Sequence, residues 1–167
     1  SDVYKRQPLN KAVYLEDYLE DKKMRYIKGR KEIKELKKKL TNIEGKIFEV
    51  PNDLNASLRE YQISGYNWFK TLDYLGFGGI LGDEMGLGKT LQTITLLLSN
   101  KGSKSLIIAP TSLIYNWNNE FKKFAPNMKI AIANGSKEER EKLLKEYKEY
   151  DVIITTYNLL RRDIDIY

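Results

Sequence analysis

Apolar positions change their spacing near residue 50, and that change divides the chain. From residue 9 to about 44 they recur at helical steps: Leu15, Tyr18 and Leu19, then Ile33, Leu36, Leu40 and Ile43. Gly29 predicts a break between two helices, and Gly45 the end of the second. The face opposite Ile33 and Leu36 carries Lys34, Lys37, Lys38 and Lys39. Residues 47–51 read as a short extended linker, because Pro51 disfavours helical geometry at Val50. Beyond it, helical and strand patterns alternate. Residues 58–75 predict a bent helix or a helical pair, 79–81 a strand, 89–99 a helix, and 106–109 a short buried strand. A helix over 112–124 follows with Ser112 as N-cap, then a third strand over 129–133. Ser136 and Glu139 spell a capping box opening another helix. Residues 152–155 predict a fourth strand, and a last helix starts at Tyr157. Apolar, β-branched strands separated by helices imply an α/β fold with a parallel sheet covered on both faces.

Composition narrows the chemistry. A chain of 167 residues is about one domain long. It has no Cys and no His, which excludes a disulfide framework, thiol chemistry, His-based catalysis and the usual zinc sites. No apolar stretch approaches the ~20 residues of a membrane span, and no secretory signal pattern opens the chain. A cytoplasmic protein with no membrane partner is expected. The net charge of +6 is uneven: residues 1–50 carry 14 Lys/Arg against 9 Asp/Glu, and residues 51–167 carry 15 against 14. Basic charge on one segment suits a polyanion such as nucleic acid, or else a solvated helix face. Ser1 to Gln7 fits neither period, and one choice of codons for it reproduces the end of a transposase sequencing adapter. Residues 1–7 are expected to be foreign to the protein.

The strongest chemical signal is Asp83-Glu84-Met85-Gly86-Leu87-Gly88-Lys89-Thr90, set between an apolar run and a helical one. Strand, glycine loop, helix is the setting a phosphate-binding loop requires. Glycines let backbone N–H groups approach a triphosphate, at a helix start that favours anions. Lys89 can reach the β and γ phosphates, and the Thr90 hydroxyl can ligate Mg²⁺. The strict phosphate-loop spelling wants glycine where Asp83 stands.

Three more signatures occur in order: Leu58-Arg59-Glu60-Tyr61-Gln62 with Gly65 and Trp68, then Leu106-Ile107-Ile108-Ala109-Pro110-Thr111-Ser112-Leu113 with Trp117, Glu120 and Phe121, then Asp151-Val152-Ile153-Ile154-Thr155-Thr156-Tyr157 with Arg161, Arg162 and Asp163. With these the chain resembles the Swi/Snf family of DNA-dependent ATPases, a branch of the superfamily two helicases, in its bacterial form. The resemblance implies a RecA-like lobe over 51–167 preceded by a basic helical segment over 8–50. It implies ATP and Mg²⁺ as ligands and double-stranded DNA, with DNA-bound proteins, as partners. Gln62 then matches the residue that reads the adenine edge, with Arg59 and Tyr61 supporting that pocket. Asp83, Glu84, Gly86, Leu87, Gly88, Lys89 and Thr90 match the nucleotide loop. Lys89 and Thr90 carry the catalytic roles, and Thr90 the metal. Pro110, Thr111 and Ser112, and Thr155 and Thr156, match two motifs that contact the DNA backbone. Trp117 reads as a core anchor at helical spacing from Leu113 and Phe121.

The resemblance also implies a carboxylate pair of the D-E-x-H type at a strand end, and none is found. Asp151 precedes its strand and so stands at the wrong end. The lobe is therefore expected to be incomplete, ending before its acidic motif, with an open sheet edge and no useful hydrolysis by the piece alone. Two other readings compete. A phosphate-loop kinase or ATPase of another class would keep Lys89 and Thr90 but leave Gln62 and Pro110-Thr111 without a reason. A non-catalytic nucleic-acid-binding module would account for the basic segment and treat the loop as vestigial.

Overall fold

A computed structural model describes residues 30–167. The expected helix before Gly29 and the foreign-looking Ser1 to Gln7 lie outside the described residues. The chain divides into two units, of which the first, in its described part, comprises residues 30–48 and 67–80. The second comprises 49–66 and 81–167.

The first unit is built on α1 (Arg30–Ile43) and the C-terminal half of α2 (Glu60–Leu75). Helix α1 buries Ile33, Leu36 and Ile43 and exposes Lys34, Lys38 and Lys39, as its spacing predicts, while Leu40 and Lys37, assigned to opposite faces, are both half-buried. It stops at Gly45, whose φ of 71° lies in the left-handed region that glycine enters without steric cost. The Phe48 N–H donates to Asn67 Oδ1 at 2.6 Å, tying the linker to α2.

The second unit holds the sheet. Its elements after α2 are α3 (Lys89–Ser99), β1 (Ser105–Ile108), α4 (Ile114–Phe124), β2 (Ile130–Ile132), α5 (Lys137–Lys145), a 3₁₀ turn at Tyr147–Glu149, β3 (Val152–Thr155) and α6 (Tyr157–Arg162). The three strands run parallel in the order β1-β3-β2, with Ile107 opposite Ile154 and Ala131 opposite Ile153. β3 is central and buried at all four positions, as its continuous apolar run requires. Ile94, Leu98, Ile114, Phe121, Val152 and Ile154 form the main core, and the linker enters it through Leu54. The Asn55 N–H donates to Phe124 O at 2.7 Å and its side chain to Lys123 O at 2.9 Å, fixing the linker across the end of α4. Trp117 packs against this core 6.3 Å from the Phe121 ring.

Several expectations need correction. Residues 58–75 form one helix from Glu60, not a pair. Residues 79–81 are not a strand, and Ile80 is 90% exposed. A strand exists through its ladder, and among the described residues nothing pairs with this run. β1 is only half-buried, with Leu106 and Ile108 exposed, because among the described residues it pairs with β3 alone. Helix α4 begins after Leu113 with no side-chain cap, so Ser112 is not its N-cap. The capping box is formed: Ser136 accepts from the Glu139 N–H, and the Glu139 carboxylate accepts from the Ser136 N–H at 2.7 Å. Among the described residues no helix is long and apolar enough to cross a membrane.

A buried ion pair ties α5 to the end of α6. Arg140 Nε donates to Asp163 Oδ2 at 2.5 Å and Nη2 to Oδ1 at 2.8 Å, while Nη1 donates to Gly135 O at 2.7 Å. Asp163 also ends α6, its N–H donating to Leu159 O at 3.0 Å. The Arg140 fork holds the Asp163 carboxyl below its usual range. The pair's contribution is therefore complete above the ordinary carboxylate pKa and is lost as pH falls through the lowered folded value. Asp163→Asn removes the countercharge and one of the three acceptors of a buried cation, and is expected to cost about 3 kcal/mol at neutral pH. Urea midpoints measured from neutral pH into acid should show that gap narrowing as the parent loses its pair. Equal midpoints at neutral pH would show that the pair does not hold α6.

Candidate nucleotide-binding site

The site is built where the chain turns into α3. Gly86 and Gly88 have φ of 87° and 75°, so the loop passes twice through the left-handed region. Gly88 is the N-cap of α3 and offers no side-chain acceptor to the first-turn N–H groups. Those donors, with the positive end of the helix dipole, face the loop. Met85 stands at the apex, 96% exposed. Lys89 folds back over the loop: its Nζ donates to Asp83 O at 2.6 Å and to Glu84 O at 2.8 Å. Asp83 and Glu84 thus enter through their backbone carbonyls, with their side chains exposed. The hydroxyls of Thr93 and Thr95 return to the helix backbone at Lys89 O and Leu91 O. No hydrogen bond within the chain engages the Thr90 hydroxyl among the described residues.

Gln62 lies against this loop. Its Oε1 accepts from the Arg59 N–H at 2.9 Å, the back-reaching half of a capping box at the start of α2. Its Nε2 donates to Leu87 O at 3.3 Å. A Cβ at Gly88 would stand 2.4 Å from that nitrogen. The residue is 7% exposed, and its amide keeps one N–H and one lone pair beyond these two bonds. Arg59 and Tyr61 are exposed on the same turn.

The remaining candidates stand at strand ends. Pro110, Thr111 and Ser112 are exposed after β1. Thr155 and Thr156 are 0% and 5% exposed. The Thr155 hydroxyl donates to Ala133 O at 3.1 Å, and the Thr156 hydroxyl caps α6 by accepting from the Leu159 N–H at 3.3 Å. The groups exposed beside them are Tyr157, Asn158, Arg161 and Arg162. Asp151 stands at the start of β3, where its carboxylate accepts from the Lys129 N–H at 2.8 Å.

Two residues near these groups were not singled out from sequence. Arg140 is one, because its partner lies 23 positions away. Gln92 is the other: it is fully buried one turn into α3, neither amide atom has a partner among the described residues, and a Cβ at Gly65 would stand 1.9 Å from its Oε1. Its position three residues after Lys89, and two before the buried Ile94, was the available signal.

Gly88→Ala should destabilise the chain more than Gly86→Ala. The left-handed turn costs either alanine about 1–2 kcal/mol. Only the Cβ at position 88 also displaces Gln62, since at position 86 it meets nothing within 4 Å. Urea denaturation of the two variants decides this, and equal losses would remove Gln62 from the loop's support.

Comparison with known proteins agrees with this geometry. Residues 61–167 match the SNF2-related domain, and residues 5–51 the bacterial SNF2 helicase-associated domain. The uncharacterized ATP-dependent helicase MG018 of Mycoplasma genitalium is 46% identical over 118 residues, covering 68% of this chain and 11% of that protein. The TATA-binding protein-associated factor mot1 of Schizosaccharomyces pombe is 35% identical over 151 residues, covering 81% of this chain and 8% of its own length. The chain therefore spans about a tenth of the curated relatives it matches. Among solved structures, the Sulfolobus solfataricus SWI2/SNF2 ATPase core in complex with dsDNA superposes with a TM-score of 0.63 at 42% identity, covering 72% of this chain and 25% of that one. The glycine turn, the lysine behind it and the parallel sheet are thus those of a family member: this chain belongs to the SNF2 family.

Proposed function

We propose that the chain is the ATP-binding part of a cytoplasmic DNA-dependent ATPase that translocates on double-stranded DNA and remodels protein–DNA complexes. The observation that carries this reading is the folded-back Lys89 at an uncapped helix start. Its ammonium sits on two neutral carbonyls that anionic phosphate oxygens would replace. The first-turn N–H groups of α3 then donate to the phosphates, with Gly86 and Gly88 admitting them to the backbone. Gln62 keeps a donor and an acceptor, the pair an adenine edge requires, and its bond to Leu87 O would link base and phosphate recognition. Arg59 and Tyr61 flank that pocket.

Mg²⁺ would be held by the Thr90 hydroxyl, which makes no other hydrogen bond among the described residues, together with the phosphates themselves, and would offset their charge. Duplex DNA as the partner is supported by the Sulfolobus solfataricus relative, whose ATPase core was solved in complex with it. Pro110, Thr111 and Ser112 are the exposed candidates for its backbone. Thr155 and Thr156, with both hydroxyls engaged internally, would act by holding the turn that presents Tyr157 and Arg161. Apart from Asp83-Glu84 in the loop, no acidic pair of the D-E-x-H type occurs in these residues, so the chain alone is expected to bind nucleotide without useful turnover.

Lys89→Ala should reduce affinity for a fluorescent ATP analogue at least tenfold, about 1.4 kcal/mol. The urea midpoint should hardly move, because Lys89 bonds only loop carbonyls. Undiminished affinity would refute nucleotide binding at this loop. Robust phosphate release from the purified chain would refute the expected lack of turnover.

A further inference from the structure

The unit that holds the nucleotide site is electrically neutral. Residues 49–66 and 81–167 carry 14 Lys/Arg against 14 Asp/Glu. In the first unit, residues 30–48 and 67–80 carry 8 against 4. Long-range attraction for a polyanion therefore originates in the first unit, where part of the charge is gathered in one place. Lys46 Nζ lies 5.3 Å from the Phe48 ring centre and 5.8 Å from that of Tyr74. Lys39 Nζ lies 5.9 Å from the same Tyr74 ring, and Lys70 Nζ 5.8 Å from Phe48. Three ammonium groups from α1, the segment after it and α2 thus share two rings. The four acidic groups of the described unit, Glu32, Glu35, Glu44 and Asp73, leave it net positive.

We infer that Lys39, Lys46 and Lys70, gathered on Phe48 and Tyr74, form a phosphate-contacting surface for duplex DNA that is separate from the strand-end motifs of the sheet. Burial of Ile33, Leu36 and Ile43 fixes the roll of α1 and so the direction of Lys39. The rings restrain the ammonium groups before any ligand arrives, which lowers the ordering cost of binding. Gathering like charges is unfavourable in the free protein, and an anionic ligand relieves it. Duplex is favoured over single strands because stacking on bases needs an open aromatic face. Here the rings are flanked by ammonium groups, Phe48 is half-buried and Tyr74 is 37% exposed. That arrangement suits backbone phosphates, which position a duplex without reading its sequence.

This inference rests on the proposed DNA partner but not on the nucleotide loop, so the two can fail separately. Duplex binding by the whole chain would be followed by fluorescence anisotropy across a salt series. Lys39→Ala, Lys46→Ala and Lys70→Ala are each expected to reduce the slope of log K against log salt by about 0.9. Lys34→Ala and Lys38→Ala, which remove the same charge outside the cluster, should change it less. Lys39→Arg and Lys46→Arg should keep the parent slope. Affinity for the ATP analogue should be unchanged in all of them, whereas Lys89→Ala should show the reverse pattern. Equal slope changes for cluster and control lysines would reduce the effect to net charge and overturn the inference. So would tighter binding of single-stranded DNA than of duplex.

Discussion

The left-handed turn at Gly88 is the constraint on which the site depends. It starts α3 without a side-chain cap, leaving its first N–H groups turned toward the loop. The same turn leaves beside Gly88 a space that the Gln62 amide fills. That amide closes the N-terminus of α2 with one atom and holds the loop carbonyl of Leu87 with the other. One missing Cβ therefore joins two helix starts that lie 26 positions apart in sequence, counted from Gln62 to Gly88. Either helix could form by its own pattern, but only glycine at this point lets them meet through a single side chain.

Magnitudes decide what Lys89 does next. The two hydrogen bonds of Lys89 run to neutral carbonyls on the exposed side of the loop, where water competes for both partners and leaves little net stabilisation. An ammonium about 4 Å from a single phosphate charge gains about 4 kcal/mol at the effective dielectric of a protein surface, and a triphosphate offers several such charges. For the proposed nucleotide the exchange would be favourable, while the carbonyls keep the lysine in place without one. Gln92 lies behind this arrangement, fully buried and without a protein partner for its amide among the described residues.

Much of this was legible in the sequence wherever structure is local. The capping box at Ser136, the stop at Gly45, the buried run of β3 and the glycine loop each depend on residues within a few positions of one another. What sequence did not show depends on distant partners. Residues 79–81 have a strand's composition, but composition supplies no neighbour to pair with. Ser112 has the right side chain for a cap, yet the chain remains in a turn until Leu113. Thr155 and Thr156 look like presented hydroxyls in one dimension. In three, Ala133 O and the Leu159 N–H engage both of them. Gln62 was legible as a chemically apt amide, but its bond to Leu87 O requires the fold.

The Arg140–Asp163 pair bears on how the second strand-end turn keeps its shape. Buried ion pairs add little net stability, because desolvating two charges offsets most of their attraction, and apolar replacements are often as stable. What a bidentate fork supplies and an apolar contact does not is direction: two parallel N–H···O bonds allow one relative orientation of the groups that carry them. Here those groups end α6 and rise from α5, and Nη1 holds Gly135 O just before the capping box that starts α5. Helix α6 has only six residues, too few to stand by its own hydrogen bonds. Thr156 holds its first turn and Asp163 its last. Between them the exposed Tyr157 and Arg161, four residues apart and so on one face, are aimed by contacts neither of them makes.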